Sequence, residues 1–319
     1  MKRILLGRTG IEVSELAFGV LPIGPTQKNI SVEQGAEIVA YALKNGINFL
    51  DTAQLYQTYE YIRLAMKLSG IRPVIVSKAP YATYEEMDVA VKEALGALGV
   101  DYIDLFLLHA PRVGDDVFEQ RKGALDCLLD YKAKGVIKAV GISTHAVPVV
   151  RLAAENEDMD IVFPIINMTG MGILRGTLCE MEEAINLCHA NGKGVYLMKA
   201  LAGGNLIDDY MNAMNYVKGF SDGRFATAMG MVTEQEVDIN LKYFNGEDIS
   251  GLLLKESAPI KRFLVLDGIC TLCGECVKAC HSEAAVISEG ASCAFIDNDK
   301  CLKCGYCVAV CKSFCIRMV

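Results

Sequence analysis

The 319-residue chain has no tryptophan at all, so no indole lines any pocket it forms. It has no apolar run approaching the ~20 residues that cross a bilayer, and no membrane anchor is expected. Hydrophobic residues still make up 52% of the chain, a surplus that must go into a large core. A stripe of lysine and arginine is missing as well. The net charge is −8, and residues 261–319 hold seven basic against six acidic side chains, which leaves −9 on the first 260. Neither part offers the basic surface that a nucleic-acid backbone demands, so nucleic acid is excluded as a partner. The opening MKRILLGRTG breaks its apolar run at Gly7 and Arg8, too soon for the core of an export signal. The expectation is a cytoplasmic protein whose cysteines stay reduced.

Cysteine, by contrast, is plentiful, with thirteen in all. Eight fall in two copies of one spacing: Cys270, Cys273, Cys276, Cys280 and then Cys301, Cys304, Cys307, Cys311. This run is the ligand spacing of bacterial ferredoxins, in which each fourth cysteine reaches across to the other cluster. Three thiolates three residues apart can wrap a cubane from one tight loop, while a fourth, four residues later, points elsewhere. Two 4Fe-4S clusters are expected, one on Cys270, Cys273, Cys276 and Cys311, the other on Cys301, Cys304, Cys307 and Cys280. A shift of 31 residues superimposes CTLCGECVKAC on CLKCGYCVAVC, which implies two half-domains facing each other. Gly274 and Gly305, equivalent in that overlay, suit a backbone that comes close to a cluster. Structural zincs fit less well, because they use separated cysteine pairs, and disulfides would need export. His281 and Lys312 stand where ferredoxins usually have proline, which weakens turn stiffness but not ligation. Cys293 and Cys315 are left as non-ligands, since both sets are complete without them. Cys127, Cys179 and Cys188 read as small core residues of helices.

Upstream of this tail, short β-branched runs alternate with amphipathic stretches of helix length. SELAFG (14–19), NFLD (48–51), PVIVSK (73–78), YIDLFLLH (102–109), VIKAVGIS (136–143), DIVFPI, GVYLMKAL and RFATAMGM supply eight strands, and capping boxes at Ser31–Gln34, Thr83–Glu86 and Thr233–Glu236 mark helix starts. Eight βα units in about 250 residues predict an α/β fold, a (β/α)8 TIM barrel, with a small C-terminal α+β ferredoxin-like iron-sulfur domain. The divisions are a barrel over 1–250, a junction over 251–261 and a cluster domain over 262–319. RILLGRTGIEV reads as a hairpin turning at Thr9-Gly10, placed to plug the barrel floor.

Three strands end in a polar residue that their apolar run does not explain: Asp51, Lys78 and His109. Barrels keep catalysis at such strand ends, and Tyr56 lies in the loop that rises over the same mouth. A tyrosine is a poor acid near neutrality unless a cation stabilises its phenolate, and Lys78, held by Asp51, is placed to be that cation. His109 can polarise a carbonyl as charge develops on its oxygen. Taken singly, each residue has a plainer reading as a cap, a strand end, a core histidine or loop packing.

At these residues the chain resembles the aldo-keto reductase family, in the motif GINFLDTAQLY (46–56), the later Lys78 and His109, and the opening LGRTGIEVSELAFG. The resemblance covers roughly residues 4–245. It implies that Tyr56 protonates a carbonyl oxygen while a nicotinamide delivers hydride to the carbon, with Asp51 and Lys78 tuning Tyr56 and His109 orienting substrate. It also implies nucleotide contacts at Ser143, Met198, Gly230, Glu236 and Asn240. Departures accompany it. The family's serine-asparagine pair reads Ser143-Thr144, a glutamine aligns near Phe163, and Met198 replaces the tyrosine that stacks on nicotinamide. The base for a 2′-phosphate is missing, so NADPH and NADH both stay open. Ala110 follows His109 where many relatives have tryptophan. Asn167–Thr177 reads as a long loop at the mouth, with Arg175 offered to anions.

The expected activity is oxidoreduction of a small carbonyl/alcohol pair, with the clusters passing electrons to an external carrier. Hydride carries two electrons and a cluster one, and a flavin, the usual converter, is possible but has no motif here. The alternative is a non-catalytic electron-transfer or redox-sensing protein whose barrel binds nucleotide or a partner, with clusters that are structural or sensory. Substrate identity and oligomeric state leave no signal in the sequence.

Overall fold

Alternating apolar strands and amphipathic helices wind into a barrel because each strand, buried on both faces, must be covered inside and out. The structure, a computed structural model, describes residues 1–253, 262–280, 283–301, 306–313 and 315–318. Most of the junction, His281, Cys304 and Gly305 lie outside the described residues.

A hairpin of β1 (Arg3–Leu5) and β2 (Glu12–Ser14) precedes eight barrel strands. These are β3 (Leu16–Gly19), β4 (Phe49–Asp51), β5 (Val74–Ala79), β6 (Ile103–His109), β7 (Ile137–Thr144), β8 (Ile161–Pro164), β9 (Gly194–Met198) and β10 (Ala226–Gly230). They close in sequence order, all parallel, with β10 pairing both β9 and β3. Around them run α1 (Val32–Lys44), α2 (Tyr59–Ser69), α3 (Tyr84–Leu98), α4 (Val117–Gln120), α5 (Lys122–Ala133), α6 (Val147–Glu155), α7 (Leu178–Ala190), α8 (Tyr210–Ser221) and α9 (Glu234–Phe244), with the short α10 (Ser250–Leu253) beyond. All eight strands expected from sequence are present. Thr83 and Thr233 accept the backbone N–H three residues on, as expected, and Thr177 with Glu180 adds a full reciprocal capping box at the start of α7.

Strand parity divides the core in two. Phe49, Val76, Leu105, Leu107, Ala139, Ile161, Phe163, Tyr196 and Ala226 fill the barrel interior, while their neighbours face the helices. The hairpin closes the floor, since Ile4, Leu6 and Val13 belong to that interior set. Its connection is wider than a two-residue turn: pairing stops at Leu5↔Glu12 and the chain bends through Gly7 (φ 53°), where a Cβ would lie 2.3 Å from the Gly194 nitrogen. Among the described residues no helix is long and apolar enough to cross a membrane.

In the tail, β11 (Phe263–Val265), α11 (Glu275–Lys278) and β12 (Ala285–Val286) are repeated as β13 (Phe295–Ile296), α12 (Tyr306–Val310) and β14 (Ile316–Met318). Adding 31 to 275 gives 306, so the sequence repeat is a structural one. The halves exchange strands: β11 pairs with β14 and β12 with β13, all antiparallel, and α11 packs on α12. Phe263, Val308 and Ile316 join the apolar layer of the barrel's outer face, and β14 rests on the turn Ala202–Gly204 after β9. The cluster domain therefore docks over the barrel mouth.

Candidate active site and cluster sites

Parity also places the site. Two residues beyond the inward Phe49, Val76, Leu107 and Tyr196 stand Asp51, Lys78, His109 and Met198, so each points inward at the C-terminal end of its strand. Register sets His109 beside Ser143, and Ser143 beside Phe163.

Lys78 is fully buried, and its Nζ donates to Asp51 Oδ1 at 2.7 Å and to the Thr52 carbonyl at 2.7 Å. Burial pushes its pKa below the ordinary lysine range, with Asp51 opposing. The ammonium lies 5.1 Å from the centre of the Tyr56 ring. The same Asp51 oxygen accepts from Tyr196 Oη at 2.8 Å. Tyr196 is stacked on Phe163 at 3.7 Å between ring centres, with Phe49 at 5.1 Å, so three rings floor the site.

Tyr56 stands edge-on to His109, ring centres 5.9 Å apart. Burial first, then the Asp51 charge, holds the phenol well above its ordinary pKa, while Arg317 of β14 pulls it down. Lys78 and Arg317 are thus the two cations on the phenol's side of the site. His109 is held well below the ordinary histidine range by burial, then by Lys78, Arg121, Lys199 and Arg112. Its Nδ1 is buried without a hydrogen-bond partner. A neutral imidazole and a protonated phenol facing one space can donate to one oxygen.

The expected nucleotide residues are differently disposed. The Ser143 hydroxyl is buried and without a hydrogen-bond partner, which fits an amide waiting to be bound. Met198 ends β9, partly buried against the interior set, and Gly230 ends β10. Glu236 accepts the Val232 N–H at 2.6 Å, while Asn240 accepts from Tyr210 Oη at 2.9 Å and donates to the Glu236 carbonyl at 2.8 Å. Both are engaged within the protein.

Cys270, Cys273, Cys276 and Cys311 line one hollow, together with Cys315, whose Sγ is 3.4 Å from that of Cys311. Backbone N–H groups of Ala294 and Cys315 point at Cys270 and Cys311 sulfur, each at 3.4 Å, and that of Ala285 at Cys280 at 3.4 Å. Such donors favour thiolates and tune a cluster's potential. This sulfur-lined hollow fits a cluster. Of the second set, Cys280, Cys301 and Cys307 are described. Gly274 adopts φ 76° where α11 begins, a left-handed conformation that favours glycine.

Some expectations change. Cys127 and Cys188 are buried, but Cys179, in the first turn of α7, is exposed. Arg175 pairs with Asp115 at 2.9 Å on the surface. The loop after β8 is organised by Asn167, whose Oδ1 accepts from Thr169 and from the Met171 N–H. Tyr196, His145, Lys199, Arg112 and Arg317 are additions to the residues expected from sequence. Tyr196 has one signal there, its shared parity with Met198.

A parallel eight-stranded barrel with an Asp-Tyr-Lys-His group at its mouth defines a class, and comparison with known proteins agrees. Residues 15–244 match the aldo/keto reductase family and residues 264–312 match the 4Fe-4S dicluster domain. The chain belongs to the aldo/keto reductase family of oxidoreductases. Glyoxal reductase of Bacillus subtilis is 32% identical over 143 residues, covering 43% of this chain and 48% of that protein. Glycerol 2-dehydrogenase (NADP(+)) of Saccharomyces cerevisiae is 25% identical over 219 residues, covering 60% and 65%. The chain spans about half the length of the first curated relatives it matches. In fold, the holo form of an aldo-keto reductase from Bacillus halodurans superposes with a TM-score of 0.64 at 20% identity, covering 79% of this chain and 94% of that one.

Proposed function

We propose that the chain, divided as a barrel over 1–250, a junction over 251–261 and a two-cluster domain over 262–319, is an oxidoreductase of small carbonyls or alcohols. The observation that carries this reading is the arrangement of Tyr56, His109, Lys78 and Asp51 around one space. Tyr56 gives its proton to the carbonyl oxygen as a C–H bond forms at the carbon, and the product alcohol leaves Tyr56 to regain a proton from solvent. His109, neutral, orients the same oxygen. Lys78 and Asp51 hold the floor of the site with Tyr196. The nicotinamide, when bound, supplies the hydride. Ser143 is the residue best prepared to hold its amide, with Met198 at the ring, Gly230 close by, and the Thr233 cap of α9 offering a helix N-terminus to phosphate. Glu236 and Asn240 shape that end of the site through their internal bonds.

The clusters exchange electrons with an external carrier. Support comes from the sulfur-lined hollow of the cluster domain, from which β14 leads to the barrel's catalytic end, where the charge of its Arg317 bears on Tyr56. The named activities of relatives, glyoxal reductase and glycerol 2-dehydrogenase, are consistent with a small carbonyl/alcohol pair.

Tyr56→Phe in anaerobically purified protein is expected to lower kcat for NAD(P)H-dependent aldehyde reduction by about 10²–10⁴. Unchanged turnover in that variant removes the acid role.

A further inference from the structure

The first hollow holds one sulfur more than a cluster needs. A 4Fe-4S cubane takes four thiolates, and Cys270, Cys273, Cys276 and Cys311 supply them, yet Cys315 lines the same wall. Its Sγ is 3.4 Å from that of Cys311, and its side chain also reaches the sulfur of Cys270. Cys315 is 3% exposed, so its thiol faces these sulfurs and not solvent.

The internal repeat says what this position requires of the fold. Adding 31 to 284 gives 315, so Cys315 stands where the first half-domain has Ala284, a fully buried residue just ahead of β12. The match is structural as well. Adding 31 to 280 and 285 gives 311 and 316, and the Ala285 N–H points at Cys280 sulfur as the Ile316 N–H points at Cys311 sulfur. A small apolar side chain therefore satisfies the packing at this place. The sulfur of Cys315 is additional to that need, and it lies beside two ligand sulfurs. The second set takes Cys280 as its fourth ligand and has Ala284 next to it, so this thiol distinguishes the two sites.

The backbone fixes Cys315 where it is. Its N–H donates to Cys311 sulfur at 3.4 Å, and its carbonyl accepts the Leu266 N–H at 2.8 Å, just before β14 pairs with β11. The charge of Arg112, from the barrel loop after β6, bears on both sulfurs.

We propose that Cys315 is an alternative fourth ligand of the first cluster, exchanging with Cys311 on the same iron. In the exchange the bond from Cys311 sulfur to that iron breaks and one from Cys315 sulfur forms. The proton of the Cys315 thiol passes to Cys311 sulfur across their 3.4 Å contact, and no electron is gained or lost. Cys270, Cys273 and Cys276 keep their own irons, so Cys315 replaces none of them. Exchange of this kind is independent of what the barrel reduces.

The test compares wild type, Cys311→Ala, Cys315→Ala and the double variant, each as the full chain reconstituted anaerobically with iron and sulfide. Cys311→Ala is expected to keep about eight irons per chain and the electron paramagnetic resonance of two reduced four-iron clusters, because Cys315 takes over the fourth iron. The double variant is expected to hold about four irons and to lose the signal of the first cluster. Equal iron contents and equal spectra in Cys311→Ala and the double variant overturn the proposal. Cys315→Ala introduces the residue that the first half-domain already has, so it keeps the test open if Cys311→Ala is insoluble. That variant is expected to load about eight irons but to release iron of the first cluster to a chelator about tenfold faster than wild type, since a broken Cys311 bond then has no second thiol to replace it. Equal release rates, with or without a shift in reduction potential, overturn the proposal and leave Cys315 a hydrogen-bond donor to Cys311.

Discussion

His145 is buried at the end of β7, and burial, then Lys199, Arg317, Arg112 and His109, all keep its imidazole neutral in the folded chain. The unfolded chain has no such restraint and takes up a proton as pH falls through about 6.5. Because the folded pKa is the lower of the two, the stabilisation is fully present above about pH 6.5. It is lost as pH falls below that value, by up to about 1.4 kcal/mol per pH unit for one histidine. Urea denaturation between pH 7 and 5, at constant iron content, is therefore expected to show wild-type stability declining and His145→Gln declining less steeply. Equal slopes would show that His145 does not titrate on unfolding. Single residues are legible in sequence where their chemistry clashes with their surroundings. Asp51, Lys78 and His109 each end an apolar run, and that contrast is visible in the chain's own order. Tyr196 is not legible in that way, because a tyrosine inside GVYLM looks like ordinary strand packing, and only the chain fold brings its hydroxyl to Asp51.

Elements are legible because their signals are local. Short β-branched apolar runs mark strands and Ser/Thr caps mark helices, so amino-acid order alone places the ends of the eight barrel strands to within three residues. Their spacing in the sheet is a different matter. Gly141 in β7 lies so close to β8 that a Cβ would sit 2.2 Å from the Ile161 carbonyl oxygen. Neither strand can give way, since each is held by parallel pairing on both sides. Gly141→Ala is expected to destabilise by at least about 1–3 kcal/mol, the range for forced overpacking, seen as a lower urea midpoint or loss of soluble protein. A midpoint equal to wild type would mean that the barrel wall flexes there. The sequence carries no mark of this glycine's role, because close strand approach depends on which chains lie side by side. The floor hairpin shows the same division: its pairing is readable, but its six-residue bend follows from Gly7 meeting the base of β9.

At the scale of the molecule, the cluster tail and the barrel share an apolar layer and one polar site. With both clusters loaded, anaerobic iron and sulfide analysis is expected to give about eight irons per chain, and Cys276→Ala, at a buried wall of the first hollow, about four. Eight irons in that variant would break the assignment of ligands to the first set. The amino-acid sequence alone determined that there are two half-domains with ligand runs 31 residues apart, a βα-repeating barrel ahead of them, and an acid-base group on strand ends. These are local or periodic properties, written in spacing. Tertiary structure alone decided that β14 rests on the turn after β9, that Cys315 joins the first hollow, and that the charge of Arg317 bears on Tyr56 across 261 positions of chain. Nothing in the spacing of residues encodes that meeting, because it depends on how two separately patterned units bury their apolar faces against each other.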